Sequence, residues 1–483
     1  MRKAPQPVDF SDALTRLRDL PKHQDVRLRS LFEVDTPIHV ARAPGRLDVM
    51  GGFGDYSGSL VLQLPIAEAA FAAVQQSTDD GVVVASIGEG LGGSARISTM
   101  TKDKWKALQR AEYDTARQIL HKDSNQDWAA YVIGPLLVLL RETAAQCDGG
   151  LRILIDSSVP EGKGVSSSAS VEVATMRAAA ALLGVVLSGE RLALVCQQAE
   201  NLVVGAPCGI MDQMTSALGR KNELLALRCQ PAVVEGYVPI PSEVAFWGID
   251  SGIRHAVSGS DYTSVRCGTF MGYRMIADAA GLKVTPASEK PDAAEIDDPS
   301  WHGYLANITP TIFRARFESR VPEQISGAEF LARFGGTTDR ITRVDPSRTY
   351  AIRKPTLHPI EENQRVGLFR QLLLGDINDD SLREMGQLMA QAHESYSACG
   401  LGSDGTDLLV RLVHDVGSKN GLYGAKITGG GSGGTIAILG RADAAEAVEA
   451  VAHQYENITG RSAYIFRGSS PGACATGVQS ISL

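Results

Sequence analysis

The spacing of apolar residues predicts alternating helices and strands along the chain. The segment "SDALTRLRDL" from Ser11 has helical spacing behind a capping serine, which is typical of an amphipathic helix. Residues 38–66 read as a strand, a glycine-rich turn and a second apolar strand, and "DWAAYVIGPLLVLL" around Trp128 reads as a buried helix. A short strand ends at Pro160, and a helix follows over about 168–183. This mixture predicts an α+β protein with a mixed sheet.

The later segments continue the pattern. "ERLALVCQQAENLV" predicts a helix, with Glu200 on the edge of its buried stripe. That stripe consists of Leu192, Val195, Cys196, Ala199, Leu202 and Val203. The stretch 284–298 is rich in Pro, Asp and Glu and reads as an exposed insertion, whereas helices fill roughly 360–418. Near the end, "GAKITGGGSGGTIAILG" leads from a glycine cluster into a strand.

The composition excludes several classes of protein. The chain has 483 residues, of which 44% are hydrophobic and 21% charged, enough for two domains with ordinary cores. A net charge of −8 argues against nonspecific nucleic-acid binding, which needs basic patches. The N-terminus lacks the apolar region of a secretory signal, and no apolar run approaches the length of a membrane span. None of the 7 cysteines forms a C-x-x-C pair, so we expect reduced thiols in a cytoplasmic protein. Nothing in the pattern indicates an oligomeric state.

Three glycine-rich clusters carry the candidate chemistry. The first, "PGRLDVMGGFGDYSG", places Arg46 and Asp55 around glycines. The second, "PEGKGVSSSAS", suits a loop that holds phosphate oxygens against a helix N-terminus, although it lacks the G-x-x-x-x-G-K-[ST] pattern. The third, "KITGGGSGG", has five glycines in the six positions after Thr428. So many glycines lose much backbone entropy on folding, which is usually tolerated only where a ligand or another strand comes very close. Each cluster alone is also compatible with a tight turn.

Taken together, the type and order of these clusters resemble the GHMP kinases, which include galactokinase, homoserine kinase, mevalonate kinase and phosphomevalonate kinase. The segments "AENLVVGAPCGIMDQM", "DSGIRHAVSGSDYTSVR" and "SSPGACATG" resemble the galactokinase-type branch. Within that branch, "GRLDVMGGFGDYSGSLVLQLPI", "YLANITPTIFRARF" and "LHPIEENQRV" are similar to the kinase region of plant L-arabinokinases. The resemblance covers about residues 38–476.

The resemblance implies a two-domain α+β GHMP kinase fold with mixed sheets, helices and an active site in the interdomain cleft. We expect an N-terminal domain over 1–205, rejoined by the last strand within 466–483, and a C-terminal domain over 206–465. The resemblance also implies ATP as phosphoryl donor, Mg²⁺ as metal ion and a small-molecule sugar as acceptor, with no nucleic-acid or membrane partner.

The resemblance implies that the second and third clusters hold the nucleotide phosphates. The residues concerned are Gly162, Lys163, Gly164, Val165, Ser166, Ser167, Ser168, Ala169, Gly430 and Gly431. By similarity to the family, a serine of this run coordinates Mg²⁺, with Ser168 preferred over Ser167, and Glu200 is the other ligand. Outside this context, Glu200 reads as a solvated carboxylate at a helix edge. Trp105 and the helix at Trp128 are both compatible with an adenine pocket and with the core.

The catalytic pair implied by the resemblance is Asp212 and Arg46. Asp212 corresponds to the base of the galactokinase-type kinases, and Arg46 would keep it ionised and stabilise charge in the transition state. A structural ion pair is the alternative. The resemblance also carries sugar contacts over to Asp55, Gly209 and Tyr262, beside this pair. A carboxylate accepts hydrogen bonds from hydroxyl groups, and a tyrosine offers both an apolar ring and a hydrogen-bond donor.

The chain departs from the galactokinase pattern at one point. Galactokinases have Glu-His-Thr-Asp-Tyr where residues 52–56 read Gly-Phe-Gly-Asp-Tyr, so two polar partners of the hexose hydroxymethyl group are replaced. A hydroxyl buried against Phe53 without a partner would cost about 1–3 kcal/mol. The pattern therefore favours L-arabinose, a pentose, phosphorylated at its anomeric hydroxyl to L-arabinose 1-phosphate. The alternatives are D-galactose, D-galacturonate if Arg42 or Lys163 faces the C6 end, and a non-catalytic sugar and ATP sensor on the same fold.

Overall fold

The computed structural model describes residues 7–88, 95–253, 260–287 and 293–483, which form helices and mixed sheets. The α-helices are α1 (Val8–Arg18), α2 (Lys102–Arg110), α3 (Tyr113–Leu120), α4 (Ala130–Thr143), α5 (Ser167–Leu182), α6 (Gly189–Gln198), α7 (Met211–Leu218), α8 (Ser260–Ala279), α9 (Pro310–Arg316), α10 (Gly327–Phe334), α11 (Arg353–Leu374), α12 (Asp379–Ala398), α13 (Asp404–Val416), α14 (Ala445–Thr459) and α15 (Ala473–Thr476). The strands are β1 (Ile38–Met50), β2 (Leu60–Ser77), β3 (Val82–Gly88), β4 (Arg96–Met100), β5 (Gly150–Ser157), β6 (Glu223–Arg228), β7 (Val233–Pro239), β8 (Val244–Asp250), β9 (Lys283–Pro286), β10 (Ala294–Asp297), β11 (Gln324–Ser326), β12 (Thr349–Ala351), β13 (Leu422–Ile427), β14 (Thr435–Arg441), β15 (Ile465–Arg467) and β16 (Val478–Ile481). The α+β prediction is confirmed.

The larger sheet has the order β16-β1-β2-β5-β3-β4, with β6 paired to β2 and β7 paired to β6. Strands β3 and β5 run parallel, and the other pairs in this sheet are antiparallel. Both β1 and β2 are buried on two faces, which explains their near-continuous apolar sequence. Alternate residues of β2 face opposite ways: Ala72 and Val74 pack with α4 to α7, whereas Phe71 and Ala73 pack with α1.

The smaller sheet has the antiparallel order β13-β14-β8-β15. Trp247 and Ile438 pack with α13 and α14 on one face. On the other face, Phe246 and Leu439 share a core cluster with α11, α12 and residues of β1 and β2. The two sheets therefore meet through a common core, which brings the β13–β14 connection, the third glycine cluster, next to β1.

The structure corrects three local predictions. Helix α1 begins at Val8 without a side-chain cap, so Ser11 lies inside the helix and the predicted cap is wrong. The second strand continues past Ile66 to Ser77 because its apolar run packs on both faces of the sheet. The predicted insertion forms a hairpin of β9 and β10, in which Ala294 is buried, while 288–292 lie outside the described residues.

The domain division stays a prediction, but two features of the sheets bear on it. Strand β16 pairs with β1, so the end of the chain lies in the larger sheet as expected. Strands β6 and β7 also belong to that sheet, which extends it to Pro239, beyond the expected boundary at 205. Among the helices of the described residues, none has the length and hydrophobicity that crossing a bilayer requires.

Candidate active site

Strand β1 and the first turn of α7 bring the predicted catalytic pair together. Nε and Nη2 of Arg46 donate to the two carboxylate oxygens of Asp212 at 2.9 and 3.0 Å. Nη1 of Arg46 donates to the carbonyl oxygen of Gly164 at 2.6 Å. Arg46 is buried, whereas 21% of the Asp212 side chain is exposed. Because a two-point contact fixes the plane of a carboxylate, Arg46 orients Asp212 and ties it to the second glycine cluster.

The pair lines a pocket that we call the central pocket. Its lining contains most of the predicted site residues, namely Arg46, Phe53, Asp55, Gly162, Gly164, Ser166, Ser167, Ser168, Glu200, Gly209, Asp212, Tyr262 and Gly430. The structure therefore assembles the predicted sugar, metal and catalytic residues around one space, although they come from distant parts of the sequence.

A second cavity of about 300 Å³, the side pocket, borders the same loop. Its walls include Trp128 and Tyr131. The Arg96 guanidinium lies 5.1 Å from the centre of the Trp128 ring and forms an ion pair with Glu161. Trp105 is buried in the core instead, so of the two tryptophans considered for the adenine pocket it is Trp128 that lines the side pocket.

The loop before α5 separates the two pockets. Gly162, Ser167 and Ser168 line both of them. Ser166 precedes the helix in a left-handed conformation, with φ of 61°, a strained geometry that occurs preferentially at functional sites. Free backbone N–H groups at this helix start favour anions. The predicted phosphate loop is thus accessible from both pockets.

Other predicted loop residues face elsewhere. The Lys163 ammonium is paired with the Asp250 carboxylate at 2.7 Å. Val165 and Ala169 are fully buried, and Val165 belongs to the core that joins the sheets. Gly431 lies against Leu401, whose carbonyl oxygen would be 2.6 Å from a Cβ at that position. These residues therefore contribute to the shape of the loops through their backbone, while Lys163, Val165 and Ala169 direct their side chains into ion pairing or the core.

The third glycine cluster packs directly on the second. A Cβ on Gly429 would lie 2.8 Å from the Gly164 carbonyl oxygen, and one on Gly434 would lie 2.7 Å from that of Lys163. The Thr435 hydroxyl donates to the same Lys163 carbonyl at 2.8 Å. The expected close approach is therefore present, and it is made by the neighbouring loop.

Glu200 is buried, contrary to its reading as a solvated residue of a helix edge. It lies in a π-helical turn, Ala199–Val204, a widening of the helix that is frequent at functional sites. Burial, and next the charge of Asp212, raise the pKa of the Glu200 carboxyl to about 7. The Gln213 side-chain amide donates to Glu200 at 2.6 Å and to Glu172 at 3.2 Å. Burial and the nearby Glu200 also raise the pKa of Glu172 well above its usual range.

Asp55 and Gly209 are in close contact on one wall of the central pocket. A Cβ on Gly209 would lie 1.7 Å from Oδ2 of Asp55, so no other residue fits there without displacing the carboxylate. The backbone N–H groups of Tyr56 and Met211 donate to Asp55 at 2.8 and 3.4 Å. Burial, and next the charge of Asp212, raise the pKa of Asp55 to about 7. Tyr262 is buried on the same wall.

The two cations considered for a uronate substrate are engaged away from the central pocket. Arg42 donates to the Asp9 carboxylate at 2.8 Å and to the Ser470 hydroxyl at 3.1 Å. Lys163 is paired with Asp250, as described above. Neither Arg42 nor Lys163 therefore supports D-galacturonate as the substrate.

Sequence reasoning missed the second layer of the site. Gln213 directly follows Asp212, and Glu172 lies two residues after the second cluster, but only the fold reveals that they meet around Glu200. Arg266 donates to the Cys208 carbonyl at 3.1 Å and forms a two-point ion pair with Asp339 at 2.8 and 2.9 Å. The only signal in the sequence was the position of Arg266 one helical turn after Tyr262.

Comparisons with known proteins agree with this geometry. Residues 130–220 match the family "GHMP kinases N terminal domain", residues 373–457 match "GHMP kinases C terminal", and residues 27–76 match the "Galactokinase galactose-binding signature". A galactokinase from Chloroflexus aurantiacus is 30% identical over 429 residues, which cover 88% of this chain and 90% of that protein. The chain belongs to the GHMP kinase family.

This GHMP kinase is 43% identical over 484 residues to L-arabinokinase from Arabidopsis thaliana. The alignment covers 92% of the chain but 47% of that relative, so the chain spans about half its length. Galactokinase from Lactococcus lactis, solved in complex with galactose, shares the fold with a TM-score of 0.69 at 19% identity, covering 97% of this chain and 99% of that one. Mevalonate kinase from Methanococcus jannaschii has a TM-score of 0.53 at 14% identity, and the match covers 89% of this chain and 98% of that one. The predicted fold and family are confirmed, and the relatives support a sugar kinase of this family.

Proposed function

We propose that this GHMP kinase transfers the γ-phosphoryl group of ATP to the anomeric hydroxyl of L-arabinose, giving L-arabinose 1-phosphate and ADP. The observation that carries the proposal is the loop shared by the two pockets. With the base in the side pocket, the nucleotide's phosphates reach the loop at Ser167 and Ser168, and the central pocket beyond holds Asp212 and Arg46. The 43% identity to an L-arabinokinase supports the choice of sugar.

In the proposed reaction, the anomeric oxygen forms a bond to the γ-phosphorus while the bond to the β–γ bridging oxygen breaks. The hydroxyl proton passes to Asp212, which Arg46 holds in one orientation by its two-point contact. Arg46 also places positive charge beside the phosphate loop, where negative charge is spread over the oxygens in the transition state. Asp212 therefore acts mainly by positioning the hydroxyl and receiving its proton.

The residues around Glu200 fit a magnesium ion. Among the described residues, no group of three or more His, Cys, Asp or Glu side chains is placed to hold a metal. Mg²⁺ suits this arrangement, since it prefers one or two carboxylates completed by phosphate oxygens and water. Glu200 and Ser168 line the central pocket, and the Gln213 amide bridges Glu200 and Glu172, so a cation bound beside Glu200 would stabilise the ionised form of its carboxyl. Bound there, Mg²⁺ would neutralise charge on the phosphates.

The sugar-facing wall supports a pentose. Asp55 can accept hydrogen bonds from sugar hydroxyl groups, and Tyr262 offers a ring and a hydroxyl. Phe53 presents a buried aromatic ring to the same pocket. An exocyclic hydroxymethyl group against that ring would lose water without gaining a partner, a cost of about 1–3 kcal/mol. D-Galactose is the second candidate, because several of the relatives are galactokinases.

A coupled ADP-release assay with ATP and Mg²⁺ tests the proposal against L-arabinose, D-galactose and D-galacturonate. We expect the highest kcat/KM on L-arabinose and loss of turnover in Asp212→Asn. Equal or faster turnover of D-galactose would refute the pentose argument. Binding of sugar and ATP without turnover would instead indicate a sensor.

A further inference from the structure

The turn that carries Phe53 is held by three side chains, two of them from distant parts of the chain. The turn Gly52–Ser57 is a 3₁₀ helix between β1 and β2, and the first N–H groups of such a turn lack partners within it. The backbone N–H groups of residues 51, 52 and 53 donate in order to Glu362, Asp48 and Tyr396, each at 3.1 Å. All three acceptors are buried. The start of the turn is therefore fixed at three successive points.

Tyr396, on α12, differs from the two carboxylate acceptors because its hydroxyl also donates a hydrogen bond. The oxygen accepts the Phe53 N–H and donates its own hydrogen to the Gly429 carbonyl at 2.9 Å. A Cβ on Gly52 would lie 1.6 Å from the same oxygen, and Gly52 has a positive φ of 48°. Tyr396 thus occupies the space that a side chain at position 52 would need, and it links the turn to the third glycine cluster.

The ring of Phe53 is fixed as firmly as its backbone. It stacks on His358 with ring centres 3.9 Å apart and planes 14° from parallel. It also meets the Tyr396 ring edge to face at 4.8 Å. The His358 ring is held in turn by a hydrogen bond of 2.8 Å between Nδ1 and the Ser395 hydroxyl. The Phe53 ring cannot turn aside to admit a polar substituent unless these rings move.

We propose that Tyr396 is a positioning residue for sugar selectivity, which holds Phe53 as an apolar wall of the central pocket and couples that wall to Gly429. The inference rests on the proposed function, since it assigns a sugar to the central pocket. Tyr396 lines neither the central pocket nor the side pocket. It acts through the Phe53 backbone and through the absence of a side chain at position 52.

The test compares Tyr396→Phe with a matched variant, Tyr455→Phe. Tyr455 is also fully buried, and its hydroxyl donates to the Ser251 carbonyl at 2.6 Å, within the core cluster of α13 and α14. For each protein, kcat/KM and the calorimetric dissociation constant are measured with L-arabinose and with D-galactose. Each quantity is expressed as the ratio of its value for L-arabinose to its value for D-galactose. We expect Tyr396→Phe to shift both ratios toward D-galactose by about fivefold or more, because the Phe53 N–H loses its acceptor and the wall relaxes. Tyr455→Phe leaves the ratios unchanged.

The outcomes separate this inference from the proposed function. The positioning role is overturned if the ratio is unchanged in Tyr396→Phe, or if Tyr455→Phe shifts it equally. It is also overturned if the wild-type protein binds neither sugar. If the wild type prefers D-galactose, or binds sugars without turnover, the proposed function fails. The role of Tyr396 is then judged on the shift in the ratio of the two dissociation constants. If Tyr396→Phe does not fold, Phe53→Leu alters the wall directly, and an unchanged ratio there overturns the inference.

Discussion

Replacing Asp55 by asparagine should change how the stability of the ligand-free protein depends on pH. Asp55 is 3% exposed, and burial together with the charge of Asp212 raises its pKa from 3.8 to about 7. Between these two values the folded protein binds more protons than the unfolded chain. The free energy of unfolding therefore falls as the pH rises through this range. Asparagine has nearly the same shape but does not titrate, so the variant lacks this loss.

The size of the effect follows from the pKa shift. One pKa unit corresponds to about 1.4 kcal/mol, so a shift from 3.8 to about 7 is worth about 4 kcal/mol in total. Of this, about 3 kcal/mol is lost between about pH 5 and pH 8. We expect Asp55→Asn to gain that amount relative to the wild type over the same interval.

Urea unfolding at about pH 5, 6, 7 and 8, at constant ionic strength, measures this difference. Asp443→Asn is the matched control, because 79% of the Asp443 side chain is exposed. Its unfolding free energy should follow that of the wild type at every pH. Parallel curves for the wild type and Asp55→Asn would refute the reasoning, since they would mean that Asp55 is ionised at no cost in the folded protein.

Three further substitutions test the site. Arg46→Lys removes the two-point contact with Asp212, and we expect kcat on L-arabinose to fall about 100-fold in the coupled assay; a loss of less than about threefold would contradict the orienting role. Gln213→Leu removes the amide that orients Glu200, so the Mg²⁺ concentration for half-maximal rate should rise about tenfold while KM for the sugar is unchanged; an unaltered Mg²⁺ dependence would argue against it. Gly209→Ala inserts a Cβ against the Asp55 carboxylate, and calorimetry should show sugar affinity weakened about tenfold with ATP affinity retained; weakening of both ligands would point to general distortion.

Much of the fold was predictable because its strongest signals are local. The apolar runs that form β1 and β2 are long, and α4 and α5 lie where their spacing places them. The start of α1 was not predictable in this way, since Ser11 is a good capping residue that the helix nonetheless includes. The pairing of β6 and β7 with the larger sheet depends on contacts distant in sequence, which periodicity does not report.

The candidate site shows the same division between local and distant information. Glycine clusters and the residues within them were visible, because the backbone there must bend or approach closely. The burial of Glu200 was hidden, since it depends on a π-helical turn that leaves no distinct pattern in "CQQAENLV". Tyr396 and His358 were hidden for another reason: each is an ordinary helical residue until the fold brings it against Phe53.

The pairing of β16 with β1 has a consequence for how the chain folds. More than 400 residues separate Ile38 from its partner Ile481, so this contact joins two parts of the structure that are far apart in sequence. During synthesis from the N-terminus, β1 emerges long before β16 and lacks this outer neighbour until β16 has also left the ribosome. In that interval β1 is an unpaired sheet edge, which is a template for association with other chains. We expect nascent chains that stop before β16 to engage chaperones and to aggregate.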